Sequence, residues 1–288
     1  MTIVLLVFAV IMWGANFNLS QPLLAEVHPL TAGAERFVIA ALVMLAVMAA
    51  KRESLVPLAR HARSYLALGL VGTAGFNVLF FLGMQSTSAV NGALIMATNP
   101  LVTSVLAALV LGERPNPGHM AALPVALAGV ATVILGGGGG GLALSPGDTL
   151  ILGANLCWAL YNVLARKLMP KASGLANTTG VMVMGAASLI VASLVGGAPV
   201  AVPGASAGAA LLAMALGGTV LAYLFYNAGL AALGAVKTSL FLNLVPVTAM
   251  TIAALTGTPP TALQLAGGLI TIGAVTMAMV PWRKSAVA

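Results

Sequence analysis

An apolar stretch long enough to cross a bilayer, and broken in its middle by a proline, occurs twice in this chain. The first copy, residues 88–114 (SAVNGALIMATNPLVTSVLAALVLGER), exceeds the roughly 20 apolar residues that a spanning helix needs. Pro100 has no N–H and disturbs the hydrogen bond one turn back, so the stretch bends there. Asn99 places an amide where lipid tails cannot satisfy it, and so must face protein or a cavity. Residues 234–259 (GAVKTSLFLNLVPVTAMTIAALTGTP) align with this copy without a gap. Pro246 falls on Pro100, Ala235-Val236 on Ala89-Val90, Leu240 on Leu94, and Ala253-Ala254-Leu255 on Ala107-Ala108-Leu109. Two copies of one kinked helix predict an internal-repeat membrane protein.

Composition agrees. Of 288 residues, 60% are hydrophobic and only 6% are charged, against about 25% charged in a soluble domain. The chain therefore has no surface fit for water and reads as an all-α integral membrane protein. A barrel is excluded, because its strands would alternate polar and apolar residues over short runs. The lone Cys157 rules out an intramolecular disulfide framework and a Cys-only metal cluster, and reads as a small core residue. No metal and no cofactor is expected. The net charge of +7 is not a nucleic-acid signal, because the basic residues fall between spans.

Ten transmembrane helices are predicted, at about 2–20, 30–50, 65–84, 88–111, 118–135, 149–169, 175–195, 207–230, 236–256 and 261–280. No basic segment precedes the first and no clean cleavage site follows it, so it reads as a mature helix rather than a signal peptide. Lys51, Arg52, Arg60, Arg63, Arg114, Arg166, Lys167, Lys171, Lys237, Arg283 and Lys284 all sort to the side of the termini. The opposite loops hold Glu26, His28 and Asp148. Only Arg36, near the start of the second span, departs. The excess of positive charge places both termini in the cytoplasm.

Five spans per half is an odd number, so the second half crosses upside down relative to the first. The predicted organisation is two inverted five-helix repeats, residues 1–141 and 142–288. Leu70-Val71-Gly72-Thr73 resembles Leu216-Gly217-Gly218-Thr219, Gly83 matches Gly229, and Trp13 lines up with Trp158. The glycine run 136–141 joins the halves as an extracytoplasmic link. No strand precedes it and no Lys-Ser or Lys-Thr follows, so it is no phosphate cradle. Inverted repeats are the architecture of alternating-access transporters, which hold solute near the midplane.

Two clusters carry a resemblance. Pro29-Leu30 followed by Glu35-Arg36-Phe37 opens the second span, and Asn99-Pro100 is followed by Leu111-Gly112-Glu113 and Gly118. In order and spacing these resemble the EamA-type drug/metabolite transporters, over essentially the whole chain. Within that family the chain is most similar to bacterial exporters of aromatic amino acids, the YddG type. The resemblance implies a multi-pass protein of the bacterial inner (plasma) membrane. It would export small metabolites through a central cavity between inverted five-helix halves. Two departures stand out. The position matching Glu113 is Pro259, and the Arg-Phe pair has no counterpart around residues 181–185.

Polar and aromatic groups inside apolar spans need partners, which makes them candidate solute contacts or helix glue. The candidate substrate-binding residues are Trp13, Asn16, Asn77, Phe81, Asn99, Trp158, Tyr161, Tyr223 and Asn243. Asn77 and Phe81 are one turn apart, as are Trp158 and Tyr161. Pro100 and Pro246 are candidate hinges. Spans five and ten read as packing or dimer surfaces, and Trp282 as an interfacial residue. Flat rings with scattered amides suit an amphipathic, zwitterionic or aromatic solute, so the expected partners are the bilayer and an amino acid-like small molecule. None of the five acids is at mid-span. Glu35 beside Arg36 is the nearest, and reads as a neutralising pair or an N-terminal helix charge. Transport is therefore expected without an embedded proton carrier. The lack of a mid-depth His, Asp or Glu speaks against an intramembrane enzyme. An exporter of drugs or other amphipathic solutes, and a channel-like pore, stay open. So does the choice between monomer and homodimer.

Overall fold

The computed structural model describes residues 1–114, 117–136, 145–233, 238 and 241–279. The glycine run beyond Gly136, Lys237, Trp282, Arg283, Lys284 and the C-terminus lie outside the described residues. Among the described residues every regular element is helical.

Local sequence sets the starts and stops. Helix α1 is Thr2–Leu24 and α2 is Pro29–Ala50. Pro29 opens α2, and His28 Nδ1 accepts the Leu30 N–H, which removes an orphan donor from the first turn. A short helix, Val56–Arg60, leads into α3, Ala62–Met84. The broken span becomes α4, Ala89–Met96, and α5, Asn99–Leu111, bent by 40° at the residues between them. Gly112, at φ +67°, ends α5 in the left-handed conformation that glycine tolerates. Helix α6 is Pro117–Gly136. Helix α7, Pro146–Leu168, starts with a reciprocal cap between Ser145 and Asp148. Then come α8, Gly174–Val195, α9, Ala205–Leu233, α10, Phe241–Leu255, and α11, Ala262–Met279.

Seven of these helices are long and apolar enough to cross a bilayer, or eight if the bent pair is one span. Helices α10 and α11 are shorter and apolar.

The helices pack in reciprocal pairs. Helix α2 lies against α8, and α6 against α11. Helix α3 lies against α7, and its counterpart contact is α9 on α1. The broken pair α4 and α5 packs on α7, and α10 packs on α1. Exchanging α1–α6 for α7–α11 in chain order, with α4 and α5 taken together, maps this list onto itself. The interior of α3 and of α9 repeats as well. Residues Gly69–Gly75 of α3 and Ala213–Leu221 of α9 both run as π-helical turns, a feature that is rare and concentrated at functional sites. Gly72 in the first π segment leaves room for the Tyr161 ring, and Gly218 in the second leaves room for the Asn16 amide. Close approach also joins α6 to α11. A Cβ on Gly129 would lie 2.8 Å from the Gly267 carbonyl oxygen, so only small residues permit this crossing.

Loops gather at two ends. At one, Ser173 donates to Glu53, Arg166 pairs with Glu113, and Arg60 and Lys171 border a shared depression. At the other, the Gly204 N–H donates to Glu26, Thr31 to the Pro199 carbonyl, and Thr87 to Asp148. Asp148 is buried there and belongs to a network running through Asn91 to Gln264 and on to Thr261.

Candidate functional site

A cavity of about 240 Å³ lies between the two sets of helices. This is smaller than the roughly 300–1,000 Å³ of pockets for drug-sized ligands, and suits one small solute. Helices α1, α2, α3, α4, α5, α7, α9 and α10 line it. The packing pairs α6–α11 and the helix α8 contribute nothing to its wall.

Rings form most of the apolar wall. Trp13 of α1 meets Tyr223 at 5.7 Å and Tyr226 at 5.0 Å between centroids, both on α9. Trp158 of α7 meets Phe76 of α3 at 5.5 Å. These are again reciprocal contacts, one joining the tryptophan of α1 to α9 and the other the tryptophan of α7 to α3. Tyr223 and Trp158, 6.3 Å apart, connect the two sets. The Trp13 Nε1–H donates to the Gly218 carbonyl at 3.0 Å, which fixes the indole against α9.

Amides complete the wall. Asn16, Asn77, Asn99, Asn162 and Asn243 all border the cavity, together with Pro100 and Pro246. Asn99 Nδ2 donates to Asn155 Oδ1 at 2.7 Å, and Asn243 Nδ2 to Thr276 Oγ1 at 2.9 Å. Asn77 Nδ2 donates to the Thr73 carbonyl inside the π segment at 2.7 Å. The Oδ1 atoms of Asn16 and Asn77 are buried without a hydrogen-bond partner. Buried acceptors of that kind are uncommon and call for an explanation.

Seven of the nine candidates therefore share one wall. Phe81 and Tyr161 do not, and each yields its place to a neighbour. Successive helical residues turn by about 100°. On α3 the wall is made by Phe76, Asn77 and Phe80, which puts Phe81 on the far flank, fully buried against Gly33 of α2. On α7 the Tyr161 ring closes over Gly72 and packs at 5.1 Å on Trp158, inside the α3–α7 interface. The adjacent Asn162 takes the cavity position.

Two further residues that were not among the candidates shape the site. Asn155, 1% exposed, sits behind the wall. Its amide donates to the Ile95 carbonyl and to Thr98 Oγ1, at the break between α4 and α5. It is seven residues before Asn162, hence on the same helical stripe, and that spacing was the available signal. The other is Arg36, on the cavity wall and 5% exposed. It forms no ion pair with Glu35; the only ion pair among the described residues joins Arg166 to Glu113. Glu35 is off the wall, and its Oε2 is buried without a partner. The signal for Arg36 was its failure to sort with the other basic residues. An ionisable group within a span is a site candidate in its own right.

These features define a class: a multi-pass helical membrane protein with a solute chamber between two repeated units. The chain belongs to the EamA-like transporter family, whose model matches residues 1–135 and again 145–280. It is 41% identical to the uncharacterized transporter YyaM of Bacillus subtilis, over 90% of this chain and 87% of that protein. It is 28% identical to a probable terminal-alkyne amino-acid exporter of Streptantibioticus cattleyicolor, over 76% of this chain and 73% of that one. A 26% match covers 66% of the chain and 61% of an S-adenosylmethionine/S-adenosylhomocysteine transporter of Chlamydia trachomatis. A solved crystal structure superposes with a TM-score of 0.71 over 96% of both chains at 20% identity, a likeness of fold. The chain is a transporter of small metabolites.

Proposed function

We propose that this protein exports neutral amino acids, aromatic ones included, across the bacterial inner membrane by alternating access. In this reading ten spans form two inverted repeats, residues 1–141 and 142–288, with both termini in the cytoplasm. It is the behaviour of the aromatic amino acid exporters of the YddG type. Export runs down a gradient without an embedded proton carrier; among the described residues, the cavity wall holds no Asp, Glu or His.

The observation that carries the reading is the wall itself. Both halves contribute rings and amides to a chamber sized for one small amphipathic solute, and the broken helix borders it. Reciprocal packing of the helix pairs supports the twofold relation between halves. The grouping of described basic residues at one end supports a cytoplasmic placement of that end. Helices α4 and α10 also pack on each other through Val90, Leu94, Met250 and Ala253. The named relatives point the same way, since a terminal-alkyne amino acid and S-adenosylmethionine each carry an amino-acid end.

Counterflow in liposomes tests the proposal. Purified protein should take up labelled phenylalanine or leucine several-fold faster into vesicles preloaded with the same amino acid. Uptake indifferent to preloading indicates a pore. Accumulation driven by a pH step alone contradicts transport without a proton carrier.

A further inference from the structure

Among the described residues Arg36 has no counter-charge. Its side chain lies on the cavity wall, roughly 10 Å along α2 from the helix start at 1.5 Å per residue. The guanidinium stays protonated and offers five N–H donors. Among the described residues it makes one hydrogen bond, from Nε to Thr219 Oγ1 at 2.9 Å. The Thr219 hydroxyl in turn donates to the Met214 carbonyl at 2.9 Å, within the π segment of α9, so its lone pair is aimed at Arg36. The Phe37 ring lies 5.5 Å below the guanidinium carbon. All five acids of the chain are described, and none pairs with Arg36. Holding Nε on Thr219 fixes the plane of the group and leaves both terminal amino groups without an acceptor among the described residues. That is half of the fork-to-fork geometry in which arginine binds a carboxylate.

A buried charge left unpaired costs several kcal/mol. Among the described residues the Thr219 hydroxyl, the Phe37 ring and Tyr223 meet it without supplying a full negative charge, which leaves that part to whatever fills the cavity. We propose that Arg36 is the anchor for a carboxylate of the transported solute, a specificity residue that restricts the cargo to carboxylates with a compact apolar or aromatic body. The proposal rests on the exporter reading above and names the group that reading leaves open. The matching position in the second half is near Val181, off the cavity wall, so the chamber holds one such anchor and takes one carboxylate at a time.

The test compares acid with amide. Trp13 and Trp158 border the cavity, so tryptophan fluorescence of the purified full-length protein reports occupancy. Phenylalanine, 3-phenylpropanoate and phenylalaninamide are titrated into the wild type, Arg36→Gln and Arg36→Lys. Size-exclusion profile and melting temperature serve as folding controls. Wild-type protein is expected to bind phenylalanine at least tenfold tighter than phenylalaninamide, and to bind 3-phenylpropanoate measurably. Arg36→Gln should bring acid and amide to parity, and Arg36→Lys should retain part of the difference. The wild-type comparison stands even if the variants do not fold. Equal binding of acid and amide by the wild type, or a preference that survives in folded Arg36→Gln, overturns the anchor and leaves the exporter reading intact. So does displacement of phenylalanine by chloride or inorganic phosphate at equal concentration, which marks an inorganic-anion site. A wild type that binds and transports none of the three overturns the exporter reading and the anchor together.

Discussion

Asn155 holds the break between α4 and α5 from behind, with its amide on the Ile95 carbonyl at 3.2 Å and on Thr98 Oγ1 at 2.8 Å. Pro100 frees a carbonyl in this turn, and hydrocarbon offers no substitute partner. Asn155→Leu keeps the volume and deletes those bonds. Interhelical hydrogen bonds in membranes contribute roughly 0.6–2 kcal/mol, so the melting temperature of the purified protein should fall by a few degrees and transport should fall with it. An unchanged melting temperature means that the amide does not support the break. Asparagines and tryptophans in apolar runs were legible in the sequence because each needs a partner. Their helical phase was less so. Phe81 and Tyr161 sit within one residue of true wall positions, but periodicity cannot say which flank of a stripe faces the cavity. Arg36 was visible as the one basic residue out of place. Its position on the wall depends on α9 lying across α2, which no local pattern encodes.

The proposed alternating access turns on the broken helix. Pro100 is the second residue of α5, and Pro246 is buried near the start of α10; both border the cavity. A fixed bend beside the chamber lets half-helices swing without breaking further hydrogen bonds. Pro100→Ala combined with Pro246→Ala should therefore lower transport more than folded yield, measured as counterflow per milligram of monodisperse protein. Equal losses would assign both prolines a structural role only. The ion pair from Arg166 of α7 to Glu113 beyond α5 is half-exposed and contributes at most about 1 kcal/mol to stability. Boundaries of the apolar helices were readable to within a few residues, and so was the bend. The paired π segments were not, because an i→i+5 ladder follows from close crossings at Gly69, Gly72 and Gly218 rather than from a pattern along the chain.

At the scale of the whole molecule, the duplication was legible because matching residues recur at one offset across consecutive spans. The chamber was not, since it forms only where spans distant in sequence converge. Its central claim is access from one face at a time. The chain holds a single cysteine, Cys157, so Cys157→Ala with Ala97→Cys places one thiol on a small residue of the cavity wall. A membrane-impermeant thiol reagent is then applied to inside-out and right-side-out vesicles, with and without phenylalanine. The account predicts labelling from the cytoplasmic face in the absence of solute, with phenylalanine shifting part of the population to labelling from the outer face. Labelling from both faces at once, unaltered by solute, would contradict it.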